Sequence, residues 1–186
     1  MESIGFHFLL GCTSLTSLTL PNSVKSIGED VLYGCTSLTH VIIPNSVVAI
    51  RNNFLNGCTS LTYIIISNSI QSIGSIFLFG CTSLTSFTVP NSVVTIGSHF
   101  LCNCTSLTTL IIPNSVETIG SNFIDNCTSL TSVTFSSSAQ LRFHDIIETL
   151  VNRSIRVIVI DDDDDGNTLI ANEEGKEEVC INIGLY

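Results

Sequence analysis

The pentapeptide Cys-Thr-Ser-Leu-Thr occurs six times at a constant spacing, and this repetition constrains the fold more than any other feature of the chain. Its cysteines lie 23 residues apart, at Cys12, Cys35, Cys58, Cys81, Cys104 and Cys127. Other positions keep the same spacing, and the first ten residues match the tail of a preceding unit. One unit of this length cannot bury its apolar face alone and needs stacked neighbours. The sequence therefore predicts a solenoid in which equivalent residues form columns.

Within each unit, the apolar residues indicate a short strand followed by a turn. Leu15, Leu18 and Leu20 follow the pattern L-x-x-L-x-L, whose alternating end points Leu18 and Leu20 inward. Pro21-Asn22-Ser23 then favours a turn. The next apolar segment, around Val31, is too short for a stable isolated helix, so we predict a single helical or 3₁₀ turn there.

The closing position of each unit predicts a left-handed backbone. It is glycine in the early units and asparagine in the last two: Gly11, Gly34, Gly57, Gly80, Asn103 and Asn126. Glycine adopts positive φ freely, and asparagine is its usual substitute. We therefore expect the chain to bend sharply at this position in every unit.

The pattern NSVxxIGxxxFxxCTSLTxIxIP, which residues 1 to about 139 follow, resembles the BspA-type leucine-rich repeat of surface proteins from anaerobic bacteria and parasitic protists. The resemblance implies an α/β repeat solenoid of about six units, with stacked short parallel strands. It also implies protein binding and, for some members, adhesion to host cells or matrix. Because the family is defined by a scaffold rather than by chemistry, it implies no particular reaction.

The pattern ends after residue 139, and we predict that residues 140–186 form a C-terminal cap on the 1–139 solenoid. An amphipathic helix of about three turns is predicted from apolar residues at helical spacing: Phe143, Ile146, Ile147, Leu150 and Val151. "IRVIVI" then predicts a strand, "DDDDDGN" a loop, and the last segment one or two strands. No matching cap precedes residue 1, so we expect an open N-terminal edge, which indicates a fragment, a covering partner or self-association.

The repeated polar and cysteine positions are predicted to be structural. Parallel cysteines in one column fit neither disulfide geometry nor converging metal ligands, so we expect buried, reduced thiols. Thr13, Ser14 and Thr16, with their repeats, are expected to satisfy backbone groups at the bend. Asn22 and its repeats are expected to bond the backbone of adjacent units.

One acidic segment, Asp161–Gly166, matches the first half of an EF-hand calcium loop. The match fails at its twelfth position, which is Asn172 rather than glutamate, and a strand pattern precedes the loop. We therefore expect a solvated loop. The alternative is weakly bound Ca²⁺, with Asp161, Asp163 and Asp165 as its candidate ligands.

Charge and histidine placement argue against several function classes. The net charge of -10, with only six Lys and Arg residues, disfavours nucleic acids and anionic membranes as partners. No apolar run is long enough to span a bilayer, and no signal peptide is visible, which leaves a cytoplasmic or a peripheral cell-surface location open. The four histidines lie apart from any nucleophile, so we predict no enzyme activity and no cofactor.

The outward positions of the strands form the candidate binding site. They are uncharged with an apolar and aromatic centre, a composition typical of protein recognition, although strand propensity alone also explains it. The predicted face consists of Ser17, Thr19, His40, Ile42, Tyr63, Ile65, Ser86, Thr88, Thr109 and Ile111, continued by Ser132 and Thr134. We predict a non-catalytic protein-binding scaffold with an unknown partner. The alternatives are a structural, self-associating element and an intracellular adaptor.

Overall fold

A computed structural model describes residues 2–160, 168–171 and 177–180 of the chain. Its elements are β1 (Ser3–Ile4), β2 (Ser17–Thr19), β3 (Ser26–Ile27), β4 (His40–Ile43), β5 (Ala49–Ile50), β6 (Tyr63–Ile66), β7 (Ser72–Ile73), β8 (Ser86–Thr88), β9 (Thr95–Ile96), β10 (Thr109–Ile112), β11 (Thr118–Ile119), β12 (Ser132–Ser136), α1 (Ser137–Arg142), α2 (His144–Asn152), β13 (Arg156–Ile160), β14 (Thr168–Ala171) and β15 (Glu177–Cys180). They form the predicted repeat solenoid, a stack of short parallel strands.

The front sheet contains the strands that follow each Cys-Thr-Ser-Leu-Thr. β2, β4 and β6 pair in parallel, as do β8, β10, β12 and β13. The register places equivalent residues side by side, for example His40 beside Tyr63, because every unit has the same length. The strand predicted from "IRVIVI" is present as β13 and extends this sheet by pairing in parallel with β12. β14 and β15 then add antiparallel strands.

A side sheet is built from the two-residue strands, which form two groups. β1 pairs with β3 in the first group, and β5, β7, β9 and β11 pair in this order in the second. The chain then returns across the back of each unit in a series of turns, which we call the back turns. The predicted helical or 3₁₀ turn is absent there, because no described residue before Ser137 is helical. The physical reason is that positive φ recurs in the back turns, 56° at Asp30 and 55° at His99, which no right-handed helix accommodates.

The amides of the back turns instead bond the following unit. His99 N–H donates to Ser121 O at 2.9 Å, and Leu101 N–H donates to Phe123 O at 2.7 Å. The closing position takes positive φ as predicted, at 75° in Gly57 and 63° in Asn103. The back turns therefore form a ladder of backbone hydrogen bonds that joins successive units, as the strands of a sheet do.

The core runs through all units as one cluster of buried apolar residues. Phe54, Phe77 and Phe100 stack along it with ring centroids 6.0 and 5.6 Å apart. Stacked aromatic rings at such separations add to the stabilisation that burial supplies. These three phenylalanines therefore form one of the columns of equivalent residues that the repeat predicts.

The cysteine column lies beside these rings, and its thiols are hydrogen-bonded. Cys58 Sγ donates to Leu32 O at 3.2 Å, and Cys81 Sγ donates to Leu55 O at 3.3 Å, in the preceding unit in each case. The seven cysteines from Cys12 to Cys127 are all free thiols. Burial raises the pKa of the Cys58 thiol to about 12 and that of Cys127 to about 11, so these thiols stay protonated at neutral pH.

The threonines satisfy backbone groups as predicted, but those of the preceding unit rather than their own bend. Thr39 Oγ1 donates to Thr16 O at 2.9 Å, and Thr62 Oγ1 donates to Thr39 O at 3.0 Å. Repeated hydroxyl bonds of this kind connect successive bends along the stack.

The prediction for the asparagine column was wrong. Asn114 Oδ1 accepts from the Ser138 hydroxyl rather than from a backbone amide of the preceding unit. Among the described residues no backbone group bonds the side chains of the other four members, the exposed residues Asn22, Asn45, Asn68 and Asn91. The next residue of the turn takes that role, since Ser69 Oγ donates to Val47 O at 2.8 Å and Ser92 Oγ donates to Ile70 O at 2.6 Å. The reason is orientation, because the asparagine points to solvent while the serine faces the preceding unit.

The predicted C-terminal helix is interrupted at Phe143, which divides it into α1 and α2. Phe143 (φ -113°, ψ 28°) departs from helical geometry while its ring is buried 6.0 Å from that of Phe135. Leu150 of α2 is also buried. The candidate calcium ligands lie outside the described residues, and the boundary at residue 139 stays a prediction.

Candidate protein-interaction site

The predicted face lies on the outside of the front sheet. Its exposed members are Ser17, Thr19, Tyr63, Ile65, Ser86, Thr88, Thr109 and Ile111, and its half-buried members are His40, Ile42, Ser132 and Thr134. Tyr63 is 49 % exposed and Ile65 50 % exposed, which makes β6 the most prominent apolar strand of this surface. The alternation of inward and outward residues follows from the pleat of each strand.

The face continues one strand beyond the predicted residues. β13 lies outside the repeats, and its Arg156 pairs with Ser132 while Ile158 pairs with Thr134. Sequence reasoning missed this extension because the 23-residue spacing ends earlier, although the strand itself was predicted. The consequence is an exposed cation, Arg156, at the border of an otherwise uncharged surface.

The tyrosine at the centre of the face is held by a neighbouring ring. His40 and Tyr63 stack with centroids 5.1 Å apart and planes 9° apart, because the parallel register places them side by side. His40 Nδ1 lies 3.1 Å from Thr39 Oγ1, which fixes the imidazole in turn. An aromatic side chain that is already ordered loses less conformational entropy when a partner covers it.

The front sheet is interrupted between β6 and β8, and we call this interruption the front break. These two strands belong to separate sheets and share no ladder. Their back turns remain joined, since Leu55 N–H donates to Phe77 O at 3.0 Å and Gly57 N–H donates to Phe79 O at 2.8 Å. The opening is therefore confined to the front of the molecule.

A difference in side-chain size accompanies the front break. Phe87 of β8 occupies the inward position that holds Ile64 in β6 and Leu110 in β10. Its ring packs edge-on against Phe77 and Phe100, with centroids 6.4 and 5.6 Å apart. A larger group in a packed core displaces its surroundings, and β8, which carries this ring, forms no ladder with β6.

The front break leaves additional apolar surface exposed at the edge of β6. Ile64 and Ile66 of β6 are half-buried, whereas Val41 and Ile43 hold the same positions in β4 and are buried. Together with Tyr63, Ile65 and Ile42 they form what we call the central patch. The repeat pattern predicted its outward members, but not the exposure of Ile64 and Ile66.

The described residues form no cluster of potential metal ligands. They contain no group of three or more His, Cys, Asp or Glu side chains arranged to hold a metal ion. His7 lies 3.3 Å from Asp30 on the back of the molecule, well exposed and without a nucleophile beside it. Within the described chain, no helix has the length and apolar character to cross a membrane.

Comparison with known proteins agrees with this architecture. A BspA type leucine-rich repeat region, in six copies, matches residues 1–100 and 75–146. A leucine-rich repeat protein from Bacteroides ovatus is 28% identical over 86% of this chain and 40% of its own, with a TM-score of 0.73. The T. pallidum leucine-rich repeat protein is 28% identical over 82% of this chain and 76% of its own, with a TM-score of 0.69.

A more distant structure shares the fold alone. The pneumococcal vaccine antigen PcpA is 18% identical over 65% of this chain and 30% of its own, with a TM-score of 0.54. The chain thus spans less than half the length of the Bacteroides ovatus protein and most of the T. pallidum protein. No curated protein matches it. Its repeats, their stacking and the matched region together establish that the chain belongs to the BspA-type leucine-rich repeat family.

Proposed function

We propose that this chain is a non-catalytic binding module that contacts a protein partner through the front sheet, with the central patch as the main contact. The observation that supports it is the exposure of Tyr63 and Ile65 on successive outward positions of β6, with Tyr63 ordered by the His40 ring. Aromatic and aliphatic anchors at the centre of a surface supply most of the energy in protein interfaces. Leucine-rich repeats commonly serve protein interaction, which is consistent with this use.

The surroundings of the central patch indicate the chemistry of the partner. Small polar residues occupy the other strands of the face, among them Ser86, Thr88 and Thr109, and Arg156 is an exposed cation on β13. A polar rim around an apolar centre excludes water from the contact. The partner therefore offers an apolar or aromatic side chain to the patch, and its binding depends only weakly on salt because the contact carries little charge.

The test is a pair of double variants compared by quantitative capture of partners from the native source. Tyr63→Ala with Ile65→Ala removes the two anchors, whereas Tyr33→Ala with Val48→Ala removes an exposed aromatic and an exposed aliphatic residue off the front sheet. We expect the first variant to lose its partners by roughly tenfold or more, the loss that corresponds to about 1.4 kcal/mol, and the second to keep them. Equal retention by both variants would show that the face assignment is wrong.

Adhesion at a cell surface is the more specific form of this proposal. Its support is family resemblance, together with the fold shared with a pneumococcal vaccine antigen. Antibody staining of unpermeabilised cells tests it directly. Staining that appears only after permeabilisation favours the intracellular adaptor instead.

Self-association is a second candidate function, and the first unit favours it. Phe6 is 69 % exposed, and Phe8 and Leu10 are exposed in the same back turn, directly after β1. The outer edge of β1 is unpaired among the described strands, and such an edge is a template for pairing with another chain. Light scattering over a range of concentrations tests this, because an edge contact predicts growth of the mean mass that Phe6→Ser reduces. A monomer at every concentration would contradict it.

A further inference from the structure

The last repeat unit differs from all the others in what covers its back turn. In the preceding units, the amide equivalent to Asn122 donates to the next unit, as Ile76 N–H does to Ser98 O and His99 N–H to Ser121 O, both at 2.9 Å. The amide equivalent to Ile124 does the same in Leu101, which donates to Phe123 O at 2.7 Å. In the described part of the chain, the amides of Asn122 and Ile124 have no acceptor.

Helix α2 takes the place of the next unit but cannot replace its hydrogen bonds. Ile146 lies 23 residues after Phe123 and packs against the core, and Leu150 is buried beside it. The helix therefore supplies the missing side chains. Its backbone groups bond within the helix, as Ile147 N–H does to Phe143 O at 2.9 Å, so they offer no acceptor to the row of amides.

A groove remains between this back turn and α2. It has a volume of about 300 Å³ and is lined on one side by Asn122, Phe123 and Ile124 and on the other by Thr149 and Arg153. The groove adjoins a second cavity of about 410 Å³, which lies nearer the start of α2. Both cavities are lined by Ile119, Asp145 and Ile146. The groove is therefore elongated, apolar at its base and bordered on one wall by unpaired amides.

We propose that this groove binds a short extended peptide segment of a partner protein, whose backbone carbonyls accept from Asn122 N–H and Ile124 N–H. Earlier units of the same molecule support this proposal, because carbonyl oxygens of the following unit cover the equivalent amides of Asn53 and Leu55, of Ile76 and Leu78, and of His99 and Leu101. Addition of a backbone segment to an unpaired row is an established mode of peptide recognition, in which main-chain bonds provide the affinity. The base formed by Phe123 and Ile119 then receives a small apolar side chain.

Charge around the groove restricts which peptides fit. Asp125 and Asp145 line it beside Arg153, so carboxylates outnumber cations at the site. The whole chain also carries a net charge of -10. Neutral or basic peptides with small apolar residues are therefore favoured over acidic ones.

The experiment selects a displayed library of random heptapeptides on the full chain, with counter-selection against Thr149→Trp, which fills the groove from the exposed face of α2. Glu148→Trp is the matched control, because it adds the same side chain to an exposed position that lines neither cavity. The selected peptide is then titrated into the isotope-labelled chain while amide NMR signals are followed.

We expect saturable shifts and slowed hydrogen exchange at the amides of Asn122 and Ile124, with binding weakened roughly tenfold or more in Thr149→Trp and unchanged in Glu148→Trp. Failure to select any peptide that distinguishes wild type from Thr149→Trp overturns the proposal, as do shifts that avoid these amides. Tyr63→Ala with Ile65→Ala leaves this binding intact, so the result is independent of the function proposed for the front sheet.

Discussion

The front sheet and the back turns are built by the same repeats, yet only the back is continuous. The back turns bond unit to unit from His7 to Asp125, whereas the front sheet stops at β6 and resumes at β8. The back is constant because positive-φ residues and buried thiols recur in equivalent positions. The front varies, and one large residue, Phe87, coincides with the front break. A repeat protein can therefore keep its scaffold while its exposed sheet is modified locally.

Alkaline pH should have the largest effect, because it destabilises the part of the molecule that is constant from unit to unit. The folded pKa values of the buried thiols lie above the unfolded value of 9.0, at about 12 for Cys58 and about 11 for Cys127, because burial disfavours the thiolate. Their stabilisation is fully present below about pH 9 and is lost as the pH rises through the folded values. Several thiols titrate together, so thermal midpoints from pH 8 to 11.5 should fall steeply.

A thiol-depleted chain provides the control for this pH dependence. The variant Cys58→Ala with Cys81→Ala starts less stable at pH 8 but has fewer thiols to ionise. Its midpoint should therefore fall less over the same pH range. Identical slopes in the two proteins would show that other groups cause the alkaline loss.

Phe77→Ala should be the most damaging single change, because Phe77 connects the two halves of the core behind the front break. Its ring stacks between Phe54 and Phe100 and is fully buried. Removing a buried phenylalanine costs about 3–5 kcal/mol. Urea unfolding measures the loss, with Phe79→Ala, at a half-buried position of the same unit, as the milder control. A loss below that of the control would contradict the role of the phenylalanine column.

Gly57→Ala should have an intermediate effect on the back. Gly57 has φ of 75°, and a left-handed backbone costs an ordinary residue about 1–2 kcal/mol. The Cβ itself would meet Gly34 Cα at 3.7 Å, so strain rather than collision is the cause. Thermal unfolding checks the change, and Gly57→Asn should cost less because asparagine occupies the same position in later units. Equal losses would argue against a backbone origin.

Phe87→Ile should have the smallest effect on stability and the most informative effect on structure. It restores an aliphatic residue to the inward position of β8, so β6 and β8 should pair. Lost aromatic burial and gained sheet hydrogen bonds oppose each other, which leaves a net change within about 1.5 kcal/mol. Hydrogen exchange at β6 and β8 amides reports the closure. Unchanged exchange would mean that the size of Phe87 does not cause the front break.

Much of the scaffold was predictable because repetition places identical residues in identical environments. The spacing of Cys58 and Cys81 predicted a column of buried thiols, and the alternation around Tyr63 predicted the outward face. The prediction for the asparagine column was wrong because asparagine and the following serine both suit a turn. Only the three-dimensional direction of the turn decides which of the two side chains bonds the preceding unit. The prediction of a helical turn was wrong because the backbone has positive φ at Asp30 and His99, and the local sequence carries no signal for this conformation.

The candidate site was predictable only in part. Exposure of Ile64 and Ile66 depends on a size difference between residues in different units, and the spacing rule treats Phe87 and Ile64 as equivalent. The groove beside α2 depends on a helix backbone meeting a row of amides, which apolar periodicity does not encode. Residues that vary between units therefore carry the information that the repeat pattern leaves out.

The direction of the side-chain hydrogen bonds bears on biosynthesis. Cys81 donates to Leu55 O, Ser92 to Ile70 O and Thr62 to Thr39 O, so every one of these bonds reaches toward an earlier part of the chain. During translation the accepting carbonyl has already been made when its donor emerges from the ribosome. Each new unit can then dock on a template of finished polypeptide, and the array can lengthen from its N-terminal end as it is synthesised.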